Sequence, residues 1–160
     1  MTLPAQSLAD LATPADRARF IADAGGLERL AATGDLAVPV SLPLAEALIL
    51  GLMRQGVTKY LAIFGHGSTA IADVLRVYEA AGLLHCWQFR NEIEMAHAAT
   101  ALSWVYGEVA AVVTSIGPGA LNVVTAAALA HVNRLPVLLI PGDVFSSRAP
   151  DPVLQQIEVF

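Results

Sequence analysis

Residues 83–105 read LLHCWQFRNEIEMAHAATALSWV, and this stretch decides the fold of the chain. Residues 83–89 form an apolar run with the length of a buried strand, and residues 91–106 form an alanine-rich run with the length of a helix that ends at Gly107. The junction carries the charged tetrapeptide FRNE, which ends in Glu92. In open α/β sheets, ligands collect where strands end and helices begin. We therefore predict that Glu92 is a catalytic residue; a purely structural acid in the first turn of a helix is the alternative.

The alternation of strand and helix continues on both sides of this segment. Further strands are predicted at residues 60–64, 109–114 and 136–140, and further helices at residues 43–55, 70–81 and 119–132. Strands that alternate with helices of this length pair in parallel, because each helix carries the chain back across the sheet. The pattern predicts an α/β fold of the flavodoxin-like kind, an open parallel sheet with helices on both faces.

Residues 1–40 differ from the rest and predict a helical N-terminal extension. Residues 13–16, TPAD, have the pattern of a helix start, with a capping threonine, proline at the first helical position and an acid at the third. This helix is expected to end near Gly25, and a second one at Gly34. Because 160 residues bury one good core, residues 41–160 are expected to form a single domain.

Composition and charge argue against two classes of partner. Nine basic and fourteen acidic residues give a net charge of −5, and Lys59 is the only lysine, so nucleic-acid binding is not expected. Residues 109–133 lack charged side chains, but Gly117-Pro118-Gly119 interrupts them, which favours a strand and a buried helix over a membrane span. The N-terminus lacks the pattern of a secretory signal, so we expect a cytoplasmic protein. Cys86 is the single cysteine and lies in an apolar run, which excludes an internal disulfide.

Two loops that follow predicted strands carry candidate binding residues. Gly65 and Gly67 flank His66, and glycines let a backbone turn tightly and approach a ligand closely. An ordinary turn in which Ser68 or Thr69 caps the next helix is the alternative. Residues 117–122, GPGALN, follow a later strand and partly match the dinucleotide-binding fingerprint, which keeps a Rossmann-type module open.

The remaining titratable residues do not form a recognisable site. His85, His97 and His131 lack metal-ligand spacing, so no metal site is predicted within this chain. Glu94 lies two positions after Glu92 and therefore faces another side of the helix, so the two acids do not form a catalytic pair.

Four motifs occur in one order and at compact spacing. They are FGHG at 64–67, RNE followed by MAHAATA within 90–101, SIGPGALN at 115–122 and PDPVLQQ at 150–156. Together they resemble the pyrimidine-binding domain of thiamine diphosphate enzymes of the acetolactate synthase type, over about residues 41–158. Within that family the sequence is most similar to the branch that hydrolyses a cyclic diketone, trihydroxycyclohexanedione, in inositol catabolism. An acetolactate synthase-like carboligase or decarboxylase is the alternative, and a non-catalytic assembly domain is another.

The resemblance implies roles for particular residues. Glu92 would hydrogen-bond a ring nitrogen of the thiamine diphosphate pyrimidine, and His66 would be a proton donor or substrate ligand. The other residues that the resemblance places at the cofactor are Gly65, Gly67, Gly117, Gly119 and Asn122.

The resemblance also implies what else the enzyme needs. In this family a second domain with Gly-Asp-Gly and Asn-Asn motifs binds the diphosphate through Mg2+, and Gly-Asp-Gly does not occur in this chain. The expected partners are therefore a diphosphate-binding domain or subunit, a second copy of the chain in a homodimer, and a small-molecule substrate. The chain by itself is expected to be inactive.

Overall fold

The computed structural model describes residues 7–34, 36 and 39–143, which form a parallel sheet covered by helices. After a 3-10 helix at Leu8–Asp10, the elements are α1 (Pro14–Asp23), α2 (Leu27–Thr33), α3 (Leu44–Arg54), β1 (Lys59–Ala62), α4 (Thr69–Ala80), β2 (His85–Gln88), α5 (Glu92–Tyr106), β3 (Ala110–Val113), α6 (Pro118–Leu121), α7 (Val124–Asn133) and β4 (Leu138–Ile140). The predicted α/β alternation is confirmed. The predicted motif at residues 150–156 lies outside the described residues.

The sheet has the strand order β2-β1-β3-β4, and every pair of neighbouring strands is parallel. Leu61 in β1 pairs with Trp87 in β2 on one side and with Val112 in β3 on the other. Because all four strands run the same way, their carboxyl ends lie at one edge of the sheet. The loops that carry Glu92, His66 and residues 117–122 all leave from this edge.

Helix packing divides the core between the two faces of the sheet. On one face, Tyr60 and Ala62 of β1 belong to a cluster with buried residues of α1, α2, α3 and α4. On the other face, Leu61 belongs to a cluster with buried residues of α5 and of the segment around α7. Alternate residues of a strand point to opposite faces, so β3, which is buried at every position, reads as a continuous apolar run, whereas the edge strand β2 is largely exposed.

One predicted helix is broken in two. The prediction of a single helix over residues 119–132 is wrong, because α6 ends at Leu121 and α7 begins at Val124. Asn122 and Val123 keep right-handed helical dihedral angles, but the backbone N–H of Val123 donates to Ala120 O, three residues back, at 3.4 Å. This three-residue hydrogen bond interrupts the α-helical pattern, although the backbone between α6 and α7 keeps helical dihedral angles.

The N-terminal helices begin and end where the sequence predicts. The Thr13 hydroxyl accepts a hydrogen bond from the Asp16 backbone N–H at 3.1 Å, and Gly34 ends α2 in the left-handed conformation. Ile21 and Leu30 are buried in the same cluster as Tyr60. The extension therefore contributes to the core on one face of the sheet.

A buried ion pair joins the extension to the rest of the fold. The guanidinium of Arg17 donates to both carboxylate oxygens of Glu46, at 2.8 and 2.5 Å, and to Leu11 O at 2.6 Å. The hydroxyl of Tyr78 donates to Glu46 Oε1 at 2.8 Å. Burial and this hydrogen bond raise the pKa of the Tyr78 phenol, so Tyr78 stays a donor. The hydrogen bond to Glu46 likewise raises the pKa of Arg17.

The structure also bears on Cys86 and on the question of a membrane span. Burial, with a smaller contribution from Glu79, raises the pKa of the Cys86 thiol to about 11, so the thiol stays protonated and is a poor nucleophile. In the part of the chain that the structure describes, no helix is both long and apolar enough to cross a membrane.

The Arg17–Glu46 pair leads to a prediction about stability. Arg17→Met leaves the Glu46 carboxylate buried without its cation, so the free energy of unfolding should fall by about 3–5 kcal/mol in urea denaturation. Arg17→Met combined with Glu46→Leu should recover much of the loss, because an apolar pair replaces the ions. Arg19→Met is the control, since Arg19 is exposed on the same helix. A loss below about 1 kcal/mol for Arg17→Met would contradict the prediction.

Candidate active site

Glu92 is the first residue of α5 and lies at the carboxyl edge of the sheet. The side-chain oxygen of Asn91 caps the helix, accepting from the backbone N–H groups of Ile93 and Glu94 at 2.9 and 3.1 Å. Because the cap satisfies these donors, Glu92 is not needed to cap the helix itself. Its side chain is half-buried, whereas that of Glu94 is exposed.

The carboxylate of Glu92 meets the loop and short helix that follow β3. Asn122 donates from Nδ2 to Glu92 Oε2 at 3.2 Å. A Cβ on Gly119 would lie 3.2 Å from Glu92 Oε1, which is tighter than an ordinary contact. The structure therefore brings together three of the predicted site residues, although Glu92 and Asn122 are 30 positions apart in the sequence.

The loop around His66 is held by a serine. The Gly65 backbone N–H donates to Ser68 Oγ at 3.1 Å, and that hydroxyl donates to Gly65 O at 3.2 Å. Ser68 does not cap α4 through its side chain, so the capping alternative is wrong for this residue. Gly67 has a φ of +79°, and a Cβ there would lie 2.5 Å from Asp143 O. Only glycine fits such a conformation without strain.

Ser115 lies between the two loops. A Cβ on Gly65 would be 2.5 Å from Ser115 Oγ, and a Cβ on Gly119 would be 3.4 Å from Ser115 Cβ. The side chain of Ser115 is thus packed between the His66 loop and the residues that touch Glu92. Ser115 begins the SIGPGALN motif but was not predicted as a site residue. The glycines at 65 and 119 indicate that another residue lies close to the backbone, but they do not identify that residue.

His66 is exposed at the same edge, on a different loop from the residues that contact Glu92. Its carbonyl oxygen is 2.9 Å from the position of a Cβ on Gly142, so its loop also packs against the segment after β4. Gly142 is a second residue of this edge that was not predicted as a site residue. The two predicted catalytic residues therefore lie on separate segments. His66 is on the loop after β1, whose Gly65 abuts Ser115, and Glu92 begins α5 and contacts Asn122.

Two of the other histidines make contacts with neighbours in the sequence. The His85 ring packs against Trp87 at 5.6 Å between centroids, and His97 Nδ1 is 2.7 Å from Ile93 O, one turn earlier. Within residues 7–34, 36 and 39–143, no three His, Cys, Asp or Glu side chains are grouped as metal ligands would be.

The Glu92 carboxylate can accept a hydrogen bond from a ligand at the sheet edge. One carboxylate oxygen accepts from Asn122, and the other lies so close to Gly119 that a Cβ there would be 3.2 Å away. A carboxylate accepts several hydrogen bonds, so Glu92 keeps acceptor capacity beyond the bond from Asn122. The absence of a side chain at Gly119 allows the carboxylate itself to lie close to the backbone. The edge of this α/β sheet thus has the features of a cofactor-binding domain.

Comparison with known proteins identifies the class. Residues 43–159 match the family described as thiamine pyrophosphate enzyme, N-terminal TPP binding domain, and the chain belongs to this family. Thiamine diphosphate is therefore its cofactor, and the family favours this cofactor over the dinucleotide that residues 117–122 left open.

Three similar proteins within this family share one name. The chain is 43% identical over 136 residues to a protein of Shouchella clausii, covering 77% of this chain and 21% of the relative. It is 52% identical over 111 residues to a protein of Clostridium perfringens and 47% identical to one of Geobacillus thermodenitrificans, covering 68% of this chain and 17% of each relative. All three relatives carry the name 3D-(3,5/4)-trihydroxycyclohexane-1,2-dione hydrolase. The chain thus spans about a fifth of their length or less.

The close approach of Gly65 to Ser115 can be tested in this chain. Gly65→Ala should lower the free energy of unfolding by about 1–3 kcal/mol, because the new methyl group would overlap Ser115 Oγ and Cβ. Gly65→Ala combined with Ser115→Gly should recover most of that loss. The measurement is urea denaturation of both variants and of Ser115→Gly alone.

Gly51→Ala is the matched control for this test. Gly51 lies within α3 with nothing near the position of its Cβ, so alanine there should stabilise the chain by about 0.5–1 kcal/mol. If Gly65→Ala lowers the free energy of unfolding by the same amount with and without Ser115→Gly, steric contact with Ser115 is not the cause of the loss.

Proposed function

We propose that this chain is the pyrimidine-binding part of a thiamine diphosphate enzyme that hydrolyses a C–C bond of trihydroxycyclohexanedione in inositol catabolism. The observation that carries the proposal is the Glu92 carboxylate at the sheet edge, held by Asn122 on one oxygen and facing Gly119 with the other. The names of the relatives favour a hydrolase over a carboligase or decarboxylase of the acetolactate synthase type. We expect the enzyme in the cytoplasm.

Glu92 has the central role in this proposal. When bound, thiamine diphosphate supplies a thiazolium carbon that acts as a carbanion, and the protein supplies placement and proton control. Glu92 would share a proton with a ring nitrogen of the pyrimidine. The hydrogen bond from Asn122 holds Oε2, and Gly119 lets the carboxylate lie close to the backbone. The remaining acceptor capacity of the carboxylate would serve the ring nitrogen.

The loops around Glu92 complete the pocket. Gly65, Gly67, Gly117 and Gly119 would form a wall of backbone against which the cofactor lies. The exposed imidazole of His66 is suited to donate a proton to the substrate or to bind one of its oxygens, since its ring nitrogens can donate and accept hydrogen bonds.

The proposal also requires groups from outside the pyrimidine-binding domain. We propose that a diphosphate-binding domain or subunit carries the Mg2+ ligands. The substrate is a small molecule, a cyclic dione with three hydroxyl groups.

A second copy of the chain is the other proposed partner. Helices α5 and α7, on one face of the sheet, expose large apolar side chains to solvent. These are Ile93, Trp104, Val105, Tyr106, Val124, Leu129 and Val132. A helix that is apolar all round is usually buried on both sides, so this face is suited to an interface. We propose that it packs in a symmetric dimer.

The role of Glu92 predicts a loss of proton transfer. In the complete enzyme, Glu92→Gln keeps the size and the hydrogen bonds but loses the ionisable group. Exchange of the cofactor's thiazolium proton into heavy water, followed by NMR, should slow on the order of a hundred-fold to ten-thousand-fold. Glu94→Gln is the matched control, because it makes the same change at an exposed position two residues away. Unchanged exchange in Glu92→Gln would reduce Glu92 to a helix-terminal acid.

The apolar face predicts self-association. Light scattering across a dilution series should show a dimer of this chain, and Val105→Glu should shift it to monomer, because Val105 is 67% exposed on that face. Leu44→Glu is the matched control: Leu44 is 86% exposed on α3, which covers the other face. A monomer at high concentration, or equal effects of both substitutions, would count against an interface at α5 and α7.

A further inference from the structure

Strand β2 lies at one side of the sheet. Among the strands of the described residues, β1 is its only neighbour, so the opposite side of β2 pairs with no other strand. We call this the open side of β2. His85, Trp87 and Gln88 of the strand are exposed. An exposed strand of this kind presents backbone N–H and C=O groups with which a strand of another molecule can pair.

The sequence of β2 and its flanks favours such pairing. Residues 83–89, LLHCWQF, contain no aspartate, glutamate, lysine, arginine, proline or glycine. Segments of six or seven residues with high β-propensity, low charge and no proline are those that stack as strands between identical chains. A second copy of β2 is therefore the partner that the open side is best suited to bind.

One backbone N–H on the open side is already bonded to a side chain. The N–H of His85 donates to Thr58 O, on the side of β1, at 2.9 Å. Since successive residues of a strand direct their N–H groups to opposite sides, the N–H of Cys86 points away from β1. It donates to Glu79 Oε1 at 2.8 Å. Another strand could pair with this N–H only after displacing the carboxylate.

We infer that Glu79 protects the open side of β2 against pairing with β2 of a second copy of the chain. The carboxylate satisfies the outward N–H of Cys86 with a charge-assisted hydrogen bond. It also places a negative charge where two copies would meet, and like charges across paired strands are destabilising. The position of Glu79 follows from a short connection, because α4 ends at Ala80 and β2 begins at His85. The inference does not depend on the cofactor or the substrate.

The test measures aggregation of the full chain under reducing conditions, which exclude disulfides through Cys86. Glu79→Ala should lower the soluble concentration in equilibrium with thioflavin T-positive aggregates on the order of ten-fold, since a pairing strand no longer breaks a hydrogen bond to a charged group. Asp73→Ala is the matched control, because Asp73 is exposed on the same helix and its removal changes the net charge equally. It should leave the soluble concentration unchanged.

Two further substitutions in the Glu79→Ala chain separate protection of β2 from other causes of aggregation. Gln88→Lys adds a charge to the exposed strand without restoring the hydrogen bond, so it should return the soluble concentration to that of the unmodified chain. Val132→Glu changes the apolar face of α7 instead and should not restore it.

Three results would each overturn the inference. The first is equal soluble concentrations for Glu79→Ala and Asp73→Ala. The second is a failure of Gln88→Lys to restore solubility, which would attribute the aggregation to lost stability. The third is recovery by Val132→Glu, which would place the contact between copies on the face of α5 and α7.

Discussion

Close backbone approach between the loops after β1, β3 and β4 is the constraint on which the candidate site depends. Gly65 and Gly119 both abut Ser115, and Gly142 abuts the carbonyl of His66. Side chains at these positions would push the loops apart, and Glu92 would lose the surroundings that Gly119 and Asn122 provide. The glycines therefore set the geometry of the site even though they carry no reactive group.

The helices on the two faces of the sheet differ in how much apolar surface they expose. On the face of α1, α3 and α4, the N-terminal extension closes the core, and the buried Arg17–Glu46 pair with Tyr78 joins it to the domain. On the face of α5 and α7, apolar side chains such as Trp104 and Val132 remain exposed. The first face is covered by the helices of the described residues, and the second leaves several large apolar side chains in solvent.

The exposed apolar surface of α5 belongs to the same helix that carries Glu92. Glu92 is the first residue of α5, the same helix whose later turns expose Trp104 and Val105. Packing of a partner on α5 would hold the helix that carries the carboxylate. In the proposed enzyme, association and the orientation of Glu92 would thus be linked through one rigid element.

Local signals in the sequence were sufficient to predict the strands and most of the helices. The cap at Thr13, the helix end at Gly34 and the junction before Glu92 depend on neighbouring residues, and the structure has all three. Apolar runs of strand length likewise predicted a parallel α/β sheet. The motif order, which resembles a thiamine diphosphate domain, led to the family that the comparison confirms. The roles of Glu92 and His66 stay predictions.

The sequence by itself determined the elements, the fold class and the family, because each depends on composition, periodicity or short motifs. Only the tertiary structure decided that Asn122 bonds Glu92, that Ser115 lies between two glycine loops and that Arg17 pairs with Glu46. These contacts join residues far apart in the chain, so they depend on strand order and on helix packing across the sheet. No local pattern encodes that order, and a glycine that makes room for a neighbour does not identify the neighbour.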